Sequence, residues 1–251
     1  QSSKDGYSEQ NPEDWINATL DCFTKLQSLN PKEFQETTSI GISGHMHGAT
    51  LLDKDEKIIR PCILWNDTRS SMECIEFENQ DFDVRNISGN ITMPGFTAPK
   101  INWIKNNEKE HFKKMHNKLL ACSYLEEKHM PKLVEGNENT GYLKKSLAQK
   151  FNFKKNVSVV GGAGDNAAAA VGMGITNIDQ SFISLGTSGV FFTPTENFLS
   201  NTGDAVHSFC HCLPDKWHLM SVMLSASNCL DWICSITNTT IPVSYTHLTL
   251  P

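Results

Sequence analysis

Apolar residues recur at helical spacing soon after the chain begins. Asn11 followed by Pro12 has the form of an N-cap and first-turn pair, and Trp15, Ala18, Cys22 and Leu26 then recur every three or four residues. The pattern predicts an amphipathic surface helix. Next come TTSIGIS and ATLLD, two short β-rich runs, then DKDEK as a polar turn and IIRPCILW as a further strand candidate. These strands are expected to share one sheet. A polar helix from about Asp67 to Asn79, a second over Thr97 to Asn107, the run NKLLACSYL, a helix in GYLKKSLAQKF and a buried strand in SVVGG follow. The alternation is that of an α/β protein. From Gln180 the texture changes to SFISL, GTSG, VFFTP, AVHSFCHCL and WHLMSV, a run of strands closed by a helix from about Leu224 to Ile236. A domain boundary is expected near Asn177.

Composition narrows the classes of function. The chain has 251 residues, 39% hydrophobic and 20% charged, enough for one large domain or two smaller ones. The formal net charge is -6 and no Lys/Arg stripe stands out, so neither nucleic acid nor an anionic membrane surface is an expected partner. The longest apolar stretch, Ala167 to Ile175, is far short of the roughly 20 residues that cross a bilayer, and QSSKDGYSEQ lacks a signal-peptide core. The expected location is cytoplasmic. Eight cysteines without a repeating framework read as reduced thiols packed as small hydrophobes. The N-x-[ST] sites, Asn90 among them, read as chance matches. Because the chain begins at Gln1 with a helix signal close behind, it is expected to be a piece of a longer protein.

The strongest chemical signal is SVVGGAGDNAAAAVGMG, where a strand ends in Gly161, Gly162 and Gly164 and Asp165 opens an Ala-rich helix. Two readings of Asp165 stand. It can be an N-cap that accepts backbone N–H bonds, or a base kept ionised by the helix dipole and able to take a proton from a hydroxyl. The same stretch fits G-x-G-x-x-A, but a dinucleotide pyrophosphate on this helix would meet the Asp165 carboxylate. In SLGTSGV, residues Gly186, Thr187, Ser188 and Gly189 make either a plain β-hairpin or a concave turn suited to a phosphate. No P-loop motif occurs. In SGHMHGA, strand alternation would put His45 and His47 on one face. In HSFCHC it would divide His207, Cys210, His211 and Cys212 between two faces, and no metal ligand is expected.

Taken in order, these segments resemble a family. GFTAPKINWIKNN, with Lys100 and Trp103 at its most telling positions, is similar to the signature of the FGGY carbohydrate kinases. GYSEQNPEDW, SGHMHGA, ILWNDTR, GNITMPGFTAPK, GGAGDNAAAAVG, SLGTSGV and HSFCHCLPDKWHLMSVMLSASNCLDW extend the likeness over most of residues 7 to 236. The resemblance implies an actin-like ATPase (ribonuclease H-like) fold of two α/β domains, both incomplete here. Residues 1–176 would be the sugar-binding domain, 177–243 the start of the nucleotide-binding domain, and 244–251 a non-native tail. It further implies Asp165 as catalytic base, Met46, His47 and Asn166 as substrate contacts, and Gly186 to Gly189 as a nucleotide phosphate loop. The implied reaction moves the γ-phosphate of ATP to D-xylulose with Mg²⁺ bridging the phosphates. A small sugar is the implied partner, and a homodimer is admitted.

The chain departs from the family pattern in three places. An Asp-x-Gly-Thr-like phosphate loop is missing ahead of Gln1, a longer stretch is replaced by LEEKH near 125–130, and nothing of the adenosine pocket follows Ile236. A sister kinase acting on another sugar or polyol, and a non-catalytic remnant, stay open as alternatives.

Overall fold

The computed structural model describes residues 5–80, 83–115 and 132–240. The run NKLLACSYL, the stretch near 125–130 and the tail at 244–251 lie outside the described residues. Strand β1 (Glu9–Gln10) leads into helix α1 (Pro12–Leu29). Asn11 caps it from an extended backbone, its side-chain oxygen accepting the Glu13 N–H at 3.2 Å, with Pro12 in the first turn. The packed face differs from the expected stripe. Ala18, Cys22 and Leu26 are exposed. Phe23 instead turns inward, with ring centroids 5.9 Å from Phe34, 5.4 Å from Phe151 and 6.3 Å from Phe153. An aromatic ring removes more apolar area from water than Ala and Cys together, so it sets the rotation of the helix. Helix α2 (Pro31–Gln35) contributes Phe34 to this cluster.

Strands β2 (Ser39–Ile40), β3 (Ser43–Gly44) and β4 (Cys62–Ile63) do not share a sheet. Helices α3 (Ser71–Glu78), α4 (Val84–Ser88), α5 (Thr97–Asn107) and α6 (Lys109–Lys114) follow, then β5 (Asn139–Tyr142), α7 (Lys145–Lys150), β6 (Ser158–Val160), β7 (Ala163–Gly164) and α8 (Asp165–Gly172). Strand β4 pairs antiparallel with β1, while β2 pairs parallel with β6, which also carries β5, and β3 pairs parallel with β7. Each ladder is so short that the runs' own hydrophobic pattern cannot name their partners. Gly141 and Tyr142 belong to β5, so the helix expected in GYLKKSLAQKF begins only at Lys145, and β6 is half-buried rather than buried. Ala49, Leu51, Ile63, Met115 and the α5 residues Ile101 and Ile104 form the core here, flanked by Ile59, Trp103 and Phe112.

The remaining strands are β8 (Phe182–Leu185), β9 (Gly189–Thr195), β10 (His207–Cys210) and β11 (Trp217–Met223), before helix α9 (Asn228–Thr237). They form one antiparallel sheet in the order β10-β11-β9-β8. Pro194 is tolerated in β9 because pairing with β8 stops at Phe182↔Phe192, so its missing N–H costs no bond on that side. Asn90 covers the outer edge of β10, its side chain donating to the Ser208 carbonyl at 2.9 Å and accepting the Ser208 N–H at 3.2 Å. Ala170, Phe192 and Met220 form the core under this sheet.

The described residues divide into two compact units, with the division inside α8. One takes the described residues up to Val84, Thr92–Ala168 and Cys212–Pro214; the other takes Arg85–Ile91, Ala169–His211 and the described residues from Asp215 on. Of the cysteines, Cys62 and Cys74 are buried as expected of small hydrophobes, whereas Cys22, Cys210 and Cys229 are exposed. Among the described residues no helix is long and apolar enough to cross a membrane.

Candidate active site

The site in the first unit is built on the two-residue ladder of β3 and β7, in which Ser43 pairs with Ala163 and Gly44 with Gly164. Parallel pairing carries the next residues, His45 and Asp165, out of the same end of the ladder. The glycines are required by space. Gly162 has φ +81°, and a Cβ there would collide with the Ile42 carbonyl oxygen. A Cβ on Gly164 would come 2.8 Å from Cγ of Met46, so Met46 lies against the backbone that precedes Asp165.

Asp165 is the first residue of α8 and is exposed. Its Oδ1 accepts the Asn166 backbone N–H at 2.9 Å and the Asn166 side-chain N–H at 3.2 Å. A capping side chain ordinarily reaches the second or third N–H of the helix, and this one reaches neither among the described residues. Oδ2 makes no hydrogen bond among them, at a helix end whose dipole favours an anion. Asn166 thus orients the carboxylate while one oxygen stays available to a hydroxyl.

His45 and His47 are not on a strand, because β3 ends at Gly44. His47 has φ 68°, in the left-handed region, and this turn separates the two rings. The His45 ring meets Trp15 edge-on at 5.2 Å, and the His47 ring lies against Phe96 at 4.6 Å. Burial holds His45 below the usual histidine range; the Asp165 carboxylate pulls it upward and Lys100 downward.

Lys100, in the first turn of α5, is completely buried. Its ammonium donates to the His47 carbonyl at 2.8 Å and to the Gly95 carbonyl at 2.6 Å. Burial pushes its pKa down to about 8, against the pull of Cys62 and Asp67, and Arg69 adds to the lowering. Sequence reasoning marked Lys100 by resemblance and gave it no role; its one local signal is a lysine on the apolar side of a helix, between Pro99 and Ile101. Nearby, buried Arg69 pairs with Asp67 at 2.7 Å and Glu9 at 2.6 Å, and its guanidinium lies 3.8 Å from the centre of the Tyr7 ring. Burial drives the Asp67 carboxyl upward, yet the hydrogen bonds from Arg69 and from the Ser8 N–H outweigh this and hold it below the usual carboxylate range.

In the second unit, Gly186, Thr187 and Ser188 form the hairpin turn between paired Leu185 and Gly189, closed by Gly186 N–H donating to the Ser188 carbonyl at 2.9 Å. The Thr187 and Gly186 carbonyls accept the N–H groups of Ala226 and Ser227 at 2.8 and 3.0 Å, tying the turn to the start of α9. The hairpin geometry is compatible with a phosphate site and does not require one. In HSFCHC, strand β10 ends at Cys210, so alternation does not govern His211 and Cys212. His207 shares a hydrogen bond with the Asn90 side-chain oxygen at 3.0 Å, while His211 packs against His218 with ring centroids 5.7 Å apart. Among the described residues no group of three or more His, Cys, Asp or Glu is placed to hold a metal ion.

The chain matches a known family. The model of the N-terminal domain of the FGGY family of carbohydrate kinases matches residues 1–128 and 116–172. The chain belongs to the FGGY family of carbohydrate kinases, and its α/β fold is that family's actin-like ATPase fold. It is 42% identical to a xylulose kinase of Escherichia coli, over 92% of this chain and 55% of that protein. It is 33% identical to a xylulose kinase of Bacillus subtilis, over 91% of this chain and 54% of that protein. A solved xyloylose kinase from Brucella ovis superposes with a TM-score of 0.92 at 40% identity, covering 97% of this chain and 58% of that one. The chain spans about half the length of the curated relatives it matches.

Proposed function

We propose that this chain carries the sugar site of a kinase that transfers the γ-phosphate of ATP to D-xylulose, giving D-xylulose 5-phosphate and ADP. The observation that carries the reading is the likeness to bacterial xylulose kinases across nearly the whole chain. Residues 1–176 bind the sugar and 177–243 begin the nucleotide-binding part. Met46 lies against the sugar, and His47 and Asn166 hold its other hydroxyls. The primary hydroxyl gives its proton to Oδ2 of Asp165 as its oxygen bonds to the γ-phosphorus, and the β,γ-bridging oxygen leaves with ADP. Asn166 keeps the carboxylate aimed, and the Gly186–Gly189 turn, its Gly186 N–H taken by the Ser188 carbonyl, offers the phosphates the Thr187 and Ser188 N–H groups and hydroxyls.

Mg²⁺ neutralises phosphate charge when it arrives bound to ATP. An ion held mainly by phosphate oxygens and water needs few protein ligands. The reaction belongs in the cytoplasm, where ATP is at hand, and a homodimer is the assembly we expect.

Calorimetric titration with D-xylulose and a panel of ketoses and polyols tests the reading. D-xylulose should bind with a Kd below about 1 mM, the upper range of ordinary KM values. Tighter binding of a different sugar would redirect the reading to a sister kinase, and no binding of any sugar would leave a non-catalytic remnant.

A further inference from the structure

We propose that Lys100 is the positioning residue of the sugar-contacting turn, holding the His47 and Gly95 carbonyls on one buried ammonium and thereby fixing where the His47 imidazole points. The proposal rests on the reading of Met46 and His47 as sugar contacts.

His47 is the centre of a tightly constrained turn. Its backbone sits at φ 68°, a conformation an L-residue keeps only where its surroundings over-determine it. On one side Met46 is pressed against Gly164; on the other, a Cβ on Gly48 would come 2.7 Å from Nε2 of His45 and 3.0 Å from Sγ of Cys62, so only glycine fits there without a shift of its neighbours. The His47 carbonyl is drawn to the Lys100 ammonium at 2.8 Å, and the side chain lies against Phe96. The second acceptor, the Gly95 carbonyl at 2.6 Å, belongs to the residue just before Phe96. One ammonium therefore sets both members of the His47–Phe96 contact. An ammonium buried with carbonyls, and with no carboxylate within bonding distance among the described residues, is a costly way to fill space, which argues for a task beyond packing.

The groups that face Lys100 make its protonation readable. They are Cys62 from β4, Asp67 and Arg69 from the segment before α3, and His45 from the turn itself. Burial pushes Cys62 up, Asp67 is held low and His45 is held low, so of these groups Lys100 alone titrates near pH 8. Losing its proton weakens both bonds to carbonyls, since a charged donor binds more strongly than a neutral one.

The experiment compares the wild-type chain with Lys100→Met between about pH 6.5 and 9.5, a window that brackets the lowered lysine. It uses NMR contacts between the His47 and Phe96 rings, and D-xylulose affinity. The wild type should lose ring contacts and bind D-xylulose at least threefold more weakly as pH rises through about 8. Lys100→Met should lack the ring contacts throughout and bind about tenfold more weakly, with no step. A folded Lys100→Met that keeps the His47–Phe96 contacts and the wild-type affinity overturns the proposal. If that variant does not fold, the wild-type titration decides: ring contacts unchanged across this pH range overturn it. Should the wild type bind no sugar, the functional reading fails, while the ring contacts still judge Lys100.

Discussion

Gly44 and Gly164 face one another in a parallel ladder of two residue pairs, and His45 and Asp165 leave it from the same end. Neither glycine has a Cβ, so Met46 can lie across the second of them and bring the candidate sugar contact to the candidate base.

Asp165→Asn separates the two readings of this residue. In a phosphorylation-competent form of the protein, the substituted amide keeps the shape of the carboxylate and removes its basic lone pair. If Asp165 is a general base, turnover should then fall about 100- to 10,000-fold with D-xylulose affinity nearly unchanged. Asparagine caps helices about as well as aspartate, so a purely capping role predicts normal turnover and melting temperature. Near-normal turnover would end the catalytic assignment.

Gly162→Ala should destabilise the first unit by roughly 1–3 kcal/mol, the scale of a strained left-handed residue, because φ is +81° and the new methyl meets the Ile42 carbonyl. Denaturant midpoints at constant slope measure it. A midpoint equal to wild type would show that the backbone there can relax.

Acid should weaken the second unit through its buried histidines. Burial alone holds His207 low; it also lowers His211, helped by Lys216, and takes His218 from the usual 6.5 to about 4, helped by His211. Above pH 6.5 these rings are neutral folded or unfolded. As pH falls below that, the unfolded chain gains protons that the folded one refuses, and stability drops until about pH 4. For His218 the loss approaches roughly 3 kcal/mol at about 1.4 kcal/mol per pH unit. His218 stacks on Phe192 at 4.4 Å and, among the described residues, neither ring nitrogen has a hydrogen-bond partner, so His218→Phe should keep the stack and flatten this part of the curve. Parallel pH–stability curves for the two proteins would contradict the assignment.

Arg69→Leu should cost about 3–5 kcal/mol, because it strands the Asp67 carboxylate in a buried place. Asp67 should then titrate higher, so the stability it loses on acidification should shrink or reverse, readable in thermal melts across pH. A loss under about 1 kcal/mol, the range of an exposed pair, would mean that the network is solvated.

How far the chain can be read without coordinates follows from the range of the forces involved. The bounds of α5 at Thr97 and Asn107, the Asn11 cap of α1 and the run of strands after Gln180 were all legible, since helix bonds, caps and turns join residues close in sequence. So was the glycine-rich junction at Asp165, because backbone crowding is written in the absence of a Cβ. Tertiary packing alone decided the rest. It rotated α1 onto Phe23, paired β2 with β6 and β3 with β7 from distant parts of the chain, and turned His47 away from His45. It also buried Lys100 under the His47 turn and collected His207, His211 and His218 in one sheet region. Short strands carry too few residues to specify a partner by pattern, and a buried charge or ring takes its role from neighbours that only the folded chain supplies.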